Sequence, residues 1–152
     1  MVITGCQYSP YAHLYTTSEP NTTDIIGTYT FDKQTVDYSI KEFRDSTNND
    51  LVTPTIVLYS DNRYVVKNLP HFKGFMTPNF SELLSQEGTW SMTTVGSIDD
   101  GTGNIKRHWG LELNGLPLDV KSPGFMNEQA PYDLIFKFGD PDEGDVMIFT
   151  KK

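Results

Sequence analysis

Asp133-Leu134-Ile135-Phe136-Lys137-Phe138 and Val146-Met147-Ile148-Phe149-Thr150, joined by Gly139-Asp140-Pro141-Asp142-Glu143-Gly144-Asp145, form the stretch on which the fold turns. Two short runs rich in β-branched and aromatic residues, separated by Gly, Asp and Pro, spell a β-hairpin. Working back along the chain, Ile105, Trp109, Leu111 and Leu113 share one side of an alternating run, with Arg107 the exception. Lys106, His108, Glu112 and Asn114 take the other side, the period of two expected of a half-buried strand. Trp90 and Met92 share a face in the run 88–94. Residues 55–59 and 63–67 pair around Asp61-Asn62, residue types that accept the positive φ of a tight turn. Seven to eight strands in hairpin order predict a mainly β domain, an antiparallel meander closed into a barrel or half-barrel.

Three segments read differently. Residues 25–31 begin the first strand, with Tyr29 and Phe31 on one face. Val36, Ile40 and Phe43 then recur at helical spacing among Lys41, Glu42 and Arg44, which predicts one short helix near the N-terminal end, over residues 34–45. Residues 68–86, broken by Pro70, Gly74 and Pro78, read as an irregular loop with one helical turn at Ser81-Glu82-Leu83-Leu84, and residues 116–120 as a further strand.

Composition narrows the function classes. The net charge of -8 opposes non-specific binding to nucleic acid and to anionic headgroups, so no nucleic-acid partner is expected. The single cysteine, Cys6, excludes an intrachain disulfide and a cysteine-rich zinc site. No stretch approaches the roughly 18 apolar residues of a membrane-crossing helix.

Ile3-Thr4-Gly5-Cys6 resembles the lipobox at which bacterial lipoproteins are cleaved and lipidated, aliphatic and small residues leading to a lone cysteine. The resemblance implies lipidation at Cys6, a membrane partner through that anchor, and residence in the bacterial cell envelope. Residues 7–23 are rich in Ser, Thr, Pro, Asn and Tyr without amphipathic period, and read as a polar tether. The domain plan is therefore 1–23, lipobox-like start and tether, and 24–152, one β domain.

Within that domain, Gly27 and Tyr29 at the first strand, followed by a meander of hairpins, resemble the lipocalin-like group of small β-barrels. Lipocalins carry Gly-X-Trp on the first strand, whereas here Gly88 and Trp90 sit mid-chain. The layout is also similar to a bacterial family of unassigned activity: Gly-Thr-aromatic opening, short helix, Asp-containing hairpin, Gly-Thr-Trp strand, and Gly-Asp-Pro-Asp-X-Gly before the last strand. The lipocalin likeness implies a barrel able to hold an apolar small molecule; the second supplies no activity.

Candidate site residues are few. His71, Phe72, Phe75 and Met76 lie in the irregular loop and are candidates for ligand or partner contact, against the alternative that the apolar ones plug the barrel as core. Asp140, Asp142 and Asp145 are oxygen donors at the density calcium uses, but Pro141 and the early glycine depart from the EF-hand pattern, and a turn explains them; no metal and no cofactor is expected. His13, His71 and His108 are widely separated and show no ligand spacing. No nucleophile elbow or phosphate-binding glycine loop is present, so an enzyme is the less favoured class. The sequence thus predicts a membrane-anchored envelope lipoprotein serving as a binding or structural module, holding an apolar small molecule or touching another envelope protein. The alternative is a cytoplasmic accessory or immunity-type β domain with no anchor.

Overall fold

The computed structural model describes residues 10–99, 101–139 and 144–152. Among them the strands are β1 (Gly27–Gln34), β2 (Phe43–Arg44), β3 (Leu51–Val52), β4 (Thr55–Leu58), β5 (Arg63–Lys73), β6 (Asn79–Asp99), β7 (Ile105–Leu113), β8 (Gly124–Met126), β9 (Asp133–Phe138) and β10 (Asp145–Lys151). Eight of these close into an antiparallel barrel in the order β1-β10-β9-β8-β7-β6-β5-β4, while β2 and β3 form a separate two-stranded hairpin. The mainly β meander is closed, which removes the open strand edges that a half-barrel would leave.

Closure depends on β6, which is 21 residues long and changes partner along its length. Asn79 to Thr89 pairs with β5, and Trp90 to Asp99 pairs with β7. At the change-over the chains crowd. A Cβ at Gly88 would lie 2.7 Å from the Asn114 carbonyl oxygen and 2.8 Å from the Tyr64 ring, so the tripeptide Gly88-Thr89-Trp90 needs its glycine for clearance.

Side chains alternate strictly between inside and outside on β9 and β10. Leu134, Phe136, Phe138, Met147 and Phe149 belong to the barrel core, while Ile135, Val146 and Ile148 belong to a second cluster on the outer wall. The inner core is aromatic: Tyr29, Tyr64, Phe72, Phe125, Phe136 and Phe149 are fully buried. Phe136 and Phe149 meet at 5.7 Å and Phe72 and Phe138 at 5.4 Å, both edge-on. The polar tips of this core are satisfied: the Tyr29 hydroxyl donates to the Ile25 carbonyl at 2.6 Å, the Tyr64 hydroxyl to the Asn114 carbonyl at 2.6 Å, and the Trp90 indole N–H to the Tyr59 carbonyl at 3.1 Å. Each fully buried aromatic contributes roughly 1.5–3 kcal/mol by leaving water.

Four sequence expectations are corrected. Residues 34–45 are not helical; the short α-helix near the N-terminal end is Thr22–Ile25, a single turn that buries Ile25. The helical spacing of Val36, Ile40 and Phe43 has another origin. The Gln34 side chain accepts from the Asp37 N–H at 2.8 Å and donates to the Asp37 carbonyl at 2.6 Å, and the Asp37 carboxylate accepts from the Ser39 N–H. These local bonds hold a turn that competes with a helix. Val36 and Ile40 pack on the barrel core, and Phe43 meets Phe31 at 5.2 Å.

Residues 68–86 are no loop. They belong to the β5–β6 hairpin, and Ser81-Glu82-Leu83-Leu84 is strand. Asn68, at φ 56°, marks a bulge between Val66 and Leu69, and Pro70 lies beyond the last β5 residue paired with β4, Lys67. A proline is tolerated there because β5 has no partner left on its β4 side. Residues 116–120 form no strand; Leu116 and Val120 fold back into the barrel core.

The tether also ends earlier than expected. Residues 11–16 lie against the outer wall, with a 3-10 turn at Ala12–Leu14 and a bridge between Tyr15 and Met126. Tyr15 and Thr16 are buried, and Tyr11, Ala12 and Leu14 cover Met126, Ile135, Val146 and Ile148. The signal missed is the run of Tyr and Leu within otherwise polar residues, which matches the outward-facing aliphatics of β9 and β10.

Candidate functional site

Two buried histidines, on opposite faces of the sheet, carry the polar chemistry among the described residues. His71 is on β5, opposite Glu82 on β6, and its imidazole is almost wholly buried. Its Nε2–H donates to Asp119 Oδ2 at 3.1 Å, reaching the connection that follows β7. That bond assigns the proton to Nε2 and leaves Nδ1 as a buried lone pair without a hydrogen bond, 3.8 Å from Glu82 Oε1. Glu82 also lies 3.9 Å from Lys73 Nζ. The ring thus lies between Asp119 and Glu82, so one buried imidazole adjoins β5, β6 and the connection carrying Asp119.

Glu82, with Phe80 and Leu83, also borders a groove of about 370 Å³ between the β2–β3 hairpin and β6. Arg44, Asp45 and Ser46 of the β2–β3 hairpin form one side, and Asn68, Ser81 and Ser85 belong to the other. Arg44 is held in place by Glu42, 2.9 Å away, and by donation to the Asn49 carbonyl at 2.8 Å. The groove is open and mixed in character, with Arg44, Asp45, Glu82 and serines beside Phe80 and Leu83, a lining that suits a hydrogen-bonding ligand or an extended peptide.

His108 lies under the N-terminal segment. Its ring stacks on Tyr15 with centroids 3.9 Å apart and planes 5° from parallel. The Nε2–H donates to the Phe125 carbonyl at 2.9 Å, and Nδ1 faces Lys137 Nζ at 3.4 Å. The Lys137 ammonium sits 4.8 Å from the Tyr15 ring centroid. Burial, and then the neighbouring ammonium, push the His108 pKa down to about 4, against the opposing pull of the Phe125 bond. Loss of water lowers Lys137 as well, although the residue as a whole is exposed. The imidazole fills the space beside Gly124: a Cβ there would lie 2.2 Å from His108 Cε1. Neutral His108 is thus a structural part of the seam that holds residues 11–16 to the wall. The alternation of β7 had placed it facing solvent; the packed N-terminal segment is what buries it.

The remaining candidates scatter. Phe72 is core, touching Phe80 and Phe138, while Phe75 and Met76 stand out from the tip of the β5–β6 hairpin at 76% and 61% exposure. The four residues of that stretch therefore divide between a polar link, the core and a projecting tip. Asp145 opens β10, and burial raises its carboxyl pKa. Cys6, Asp140 and Asp142 lie outside the described residues. Among the described residues no group of three His, Cys, Asp or Glu is placed to hold a metal ion.

Among the described residues, the fold and its polar groups define a closed β-barrel with a buried aromatic core and a groove between the β2–β3 hairpin and β6. Comparison with known proteins finds no matching family model, no matching curated protein and no matching solved structure.

Proposed function

We propose that the chain is an envelope-anchored binding or structural module, held to a membrane through a lipidated Cys6 and working through its outer surface. The observation that carries the outer-surface part is the filled interior. Phe72, Phe125, Phe136 and Phe149 occupy the space in which a lipocalin-like barrel would hold an apolar guest, and Leu116 and Val120 join the same core. Ligand sites ordinarily offer about 300–1,000 Å³ of concave space. The opening of about 370 Å³ between the β2–β3 hairpin and β6 is lined by Arg44, Asp45, Ser46 and Glu82 beside Phe80 and Leu83, which supports recognition of a polar group or a peptide.

The anchor is supported by Ile3-Thr4-Gly5-Cys6 and by the short remaining span between Cys6 and the docked segment. Growth of a producing bacterium on an alkynyl fatty acid, with wild type compared with Cys6→Ser, tests it. Label on wild type alone is expected. Absence of label from both proteins would remove the anchor and favour the cytoplasmic alternative.

A further inference from the structure

We propose that the tip of the β5–β6 hairpin, Phe75 and Met76, is a lipid-contacting point that meets the same bilayer in which Cys6 is anchored. The placement rests on the proposed anchor and on three observations. First, the tip is the most exposed apolar part of its hairpin: Phe75 and Met76 are 76% and 61% exposed, while Phe80 is 39% exposed and Phe72 is buried.

Second, the tip and the departure of the N-terminal chain share one end of the barrel. Phe138 and Asp145 are the last paired positions of the β9–β10 hairpin, so Gly139 and Gly144 flank its turn. A Cβ on Gly139 would lie 3.2 Å from Pro78 Cδ and 3.5 Å from the Phe75 carbonyl oxygen. On Gly144 it would lie 2.5 Å from Pro10 Cδ. The same turn therefore touches both the hairpin tip and the first described residue of the chain.

Third, four peptide steps separate Pro10 from Cys6, a reach of at most about 14 Å. A bilayer holding an acyl chain on Cys6 lies within that reach of the turn, and Phe75 and Met76 project at that end. A single anchor leaves the barrel free to pivot; a second, apolar contact fixes its orientation. Lys73, beside the tip, has the long stem and terminal charge that place a side chain at headgroup depth. The net charge of -8 favours zwitterionic over anionic lipid.

The test uses the sole cysteine. The protein is coupled through Cys6 to a maleimide-bearing diacyl phosphoethanolamine and incorporated into phosphatidylcholine vesicles whose acyl chains carry bromine. Tryptophan is placed at the tip as Phe75→Trp or, as a control, at Tyr59→Trp, an exposed position beside the Asp61-Asn62 turn, at the opposite end of β5 from the tip. Bromine should reduce the emission of the tip tryptophan by about half, relative to wild type carrying Trp90 and Trp109, and leave the control unchanged. Phe75→Ser combined with Met76→Ser should weaken the vesicle partition of the coupled protein by about tenfold. Equal emission with and without bromine at position 75, in protein that floats with the vesicles, would overturn the proposal, as would equal quenching at position 59. Because chemistry attaches the lipid, these outcomes are independent of whether cells acylate Cys6.

Discussion

Acidification should loosen the N-terminal segment before it unfolds the barrel, because His108 is neutral in the native protein and must stay so. The unfolded chain binds a proton at the ordinary histidine value near 6.5, whereas the folded protein holds this ring at about 4. Stability from neutral His108 is therefore fully present above about pH 6.5 and is lost as the pH falls towards 4. The difference corresponds to about 3 kcal/mol across that window. The energy is stored where Tyr15 stacks on the ring, so its loss should appear first in bonds that hold the segment: Thr16 N–H to the Phe125 carbonyl, Trp109 N–H to the Thr16 carbonyl and Asn127 N–H to the Leu14 carbonyl. Amide NMR across the window should show these three resonances shifting together while those of Leu134 and Phe136 stay native. Urea unfolding of wild type and His108→Gln gives the energy. Wild type should lose stability between about pH 6.5 and 4, and the variant should lose far less. Parallel losses in the two proteins would refute the reasoning. The carboxylates of Asp37, Asp45 and Asp61 sit below their ordinary values, so their contributions are lost at more acid pH.

Further expectations follow from close packing. Gly124→Ala should destabilise by about 2 kcal/mol or more, since its Cβ collides with His108, and His108→Ala should relieve much of that loss in the double variant, measured by a urea double-mutant cycle. Phe136→Ala, by emptying a fully packed interior position, should cost about 3–5 kcal/mol in the same assay. Tyr15→Ala should release residues 11–16 at neutral pH, seen as protease cleavage within the segment while the barrel stays intact. Phe75→Ser should change stability by no more than about 0.5 kcal/mol, because the side chain is in water.

Much of the barrel was legible because its strands state their own period. The Asp61-Asn62 hairpin carries Asn62 at φ 65°, as a tight turn demands, and the run from 133 to 150 pairs as its composition suggests. The failures share a cause: each depended on a partner distant in sequence. Val36, Ile40 and Phe43 imitate a helix because three separate contacts on the barrel happen to fall at helical spacing. Residues 68–86 look broken because the bulge at Asn68 and the buried Pro70, which has no β4 partner, make sense only once β4 is seen to stop short. His108 was invisible as a buried group since the segment covering it lies about ninety residues earlier in the chain. Asp119, which orients His71, carries no motif at all.

The central claim is that this barrel is filled and works from outside. Titration of Cys6→Ser protein with a fluorescent fatty acid, followed by near-ultraviolet circular dichroism of the interior aromatics, tests it most directly. The account predicts no saturable binding and an unchanged aromatic spectrum. Stoichiometric binding that perturbs the signals of the inner core, and that Phe136→Ala strengthens, would contradict it.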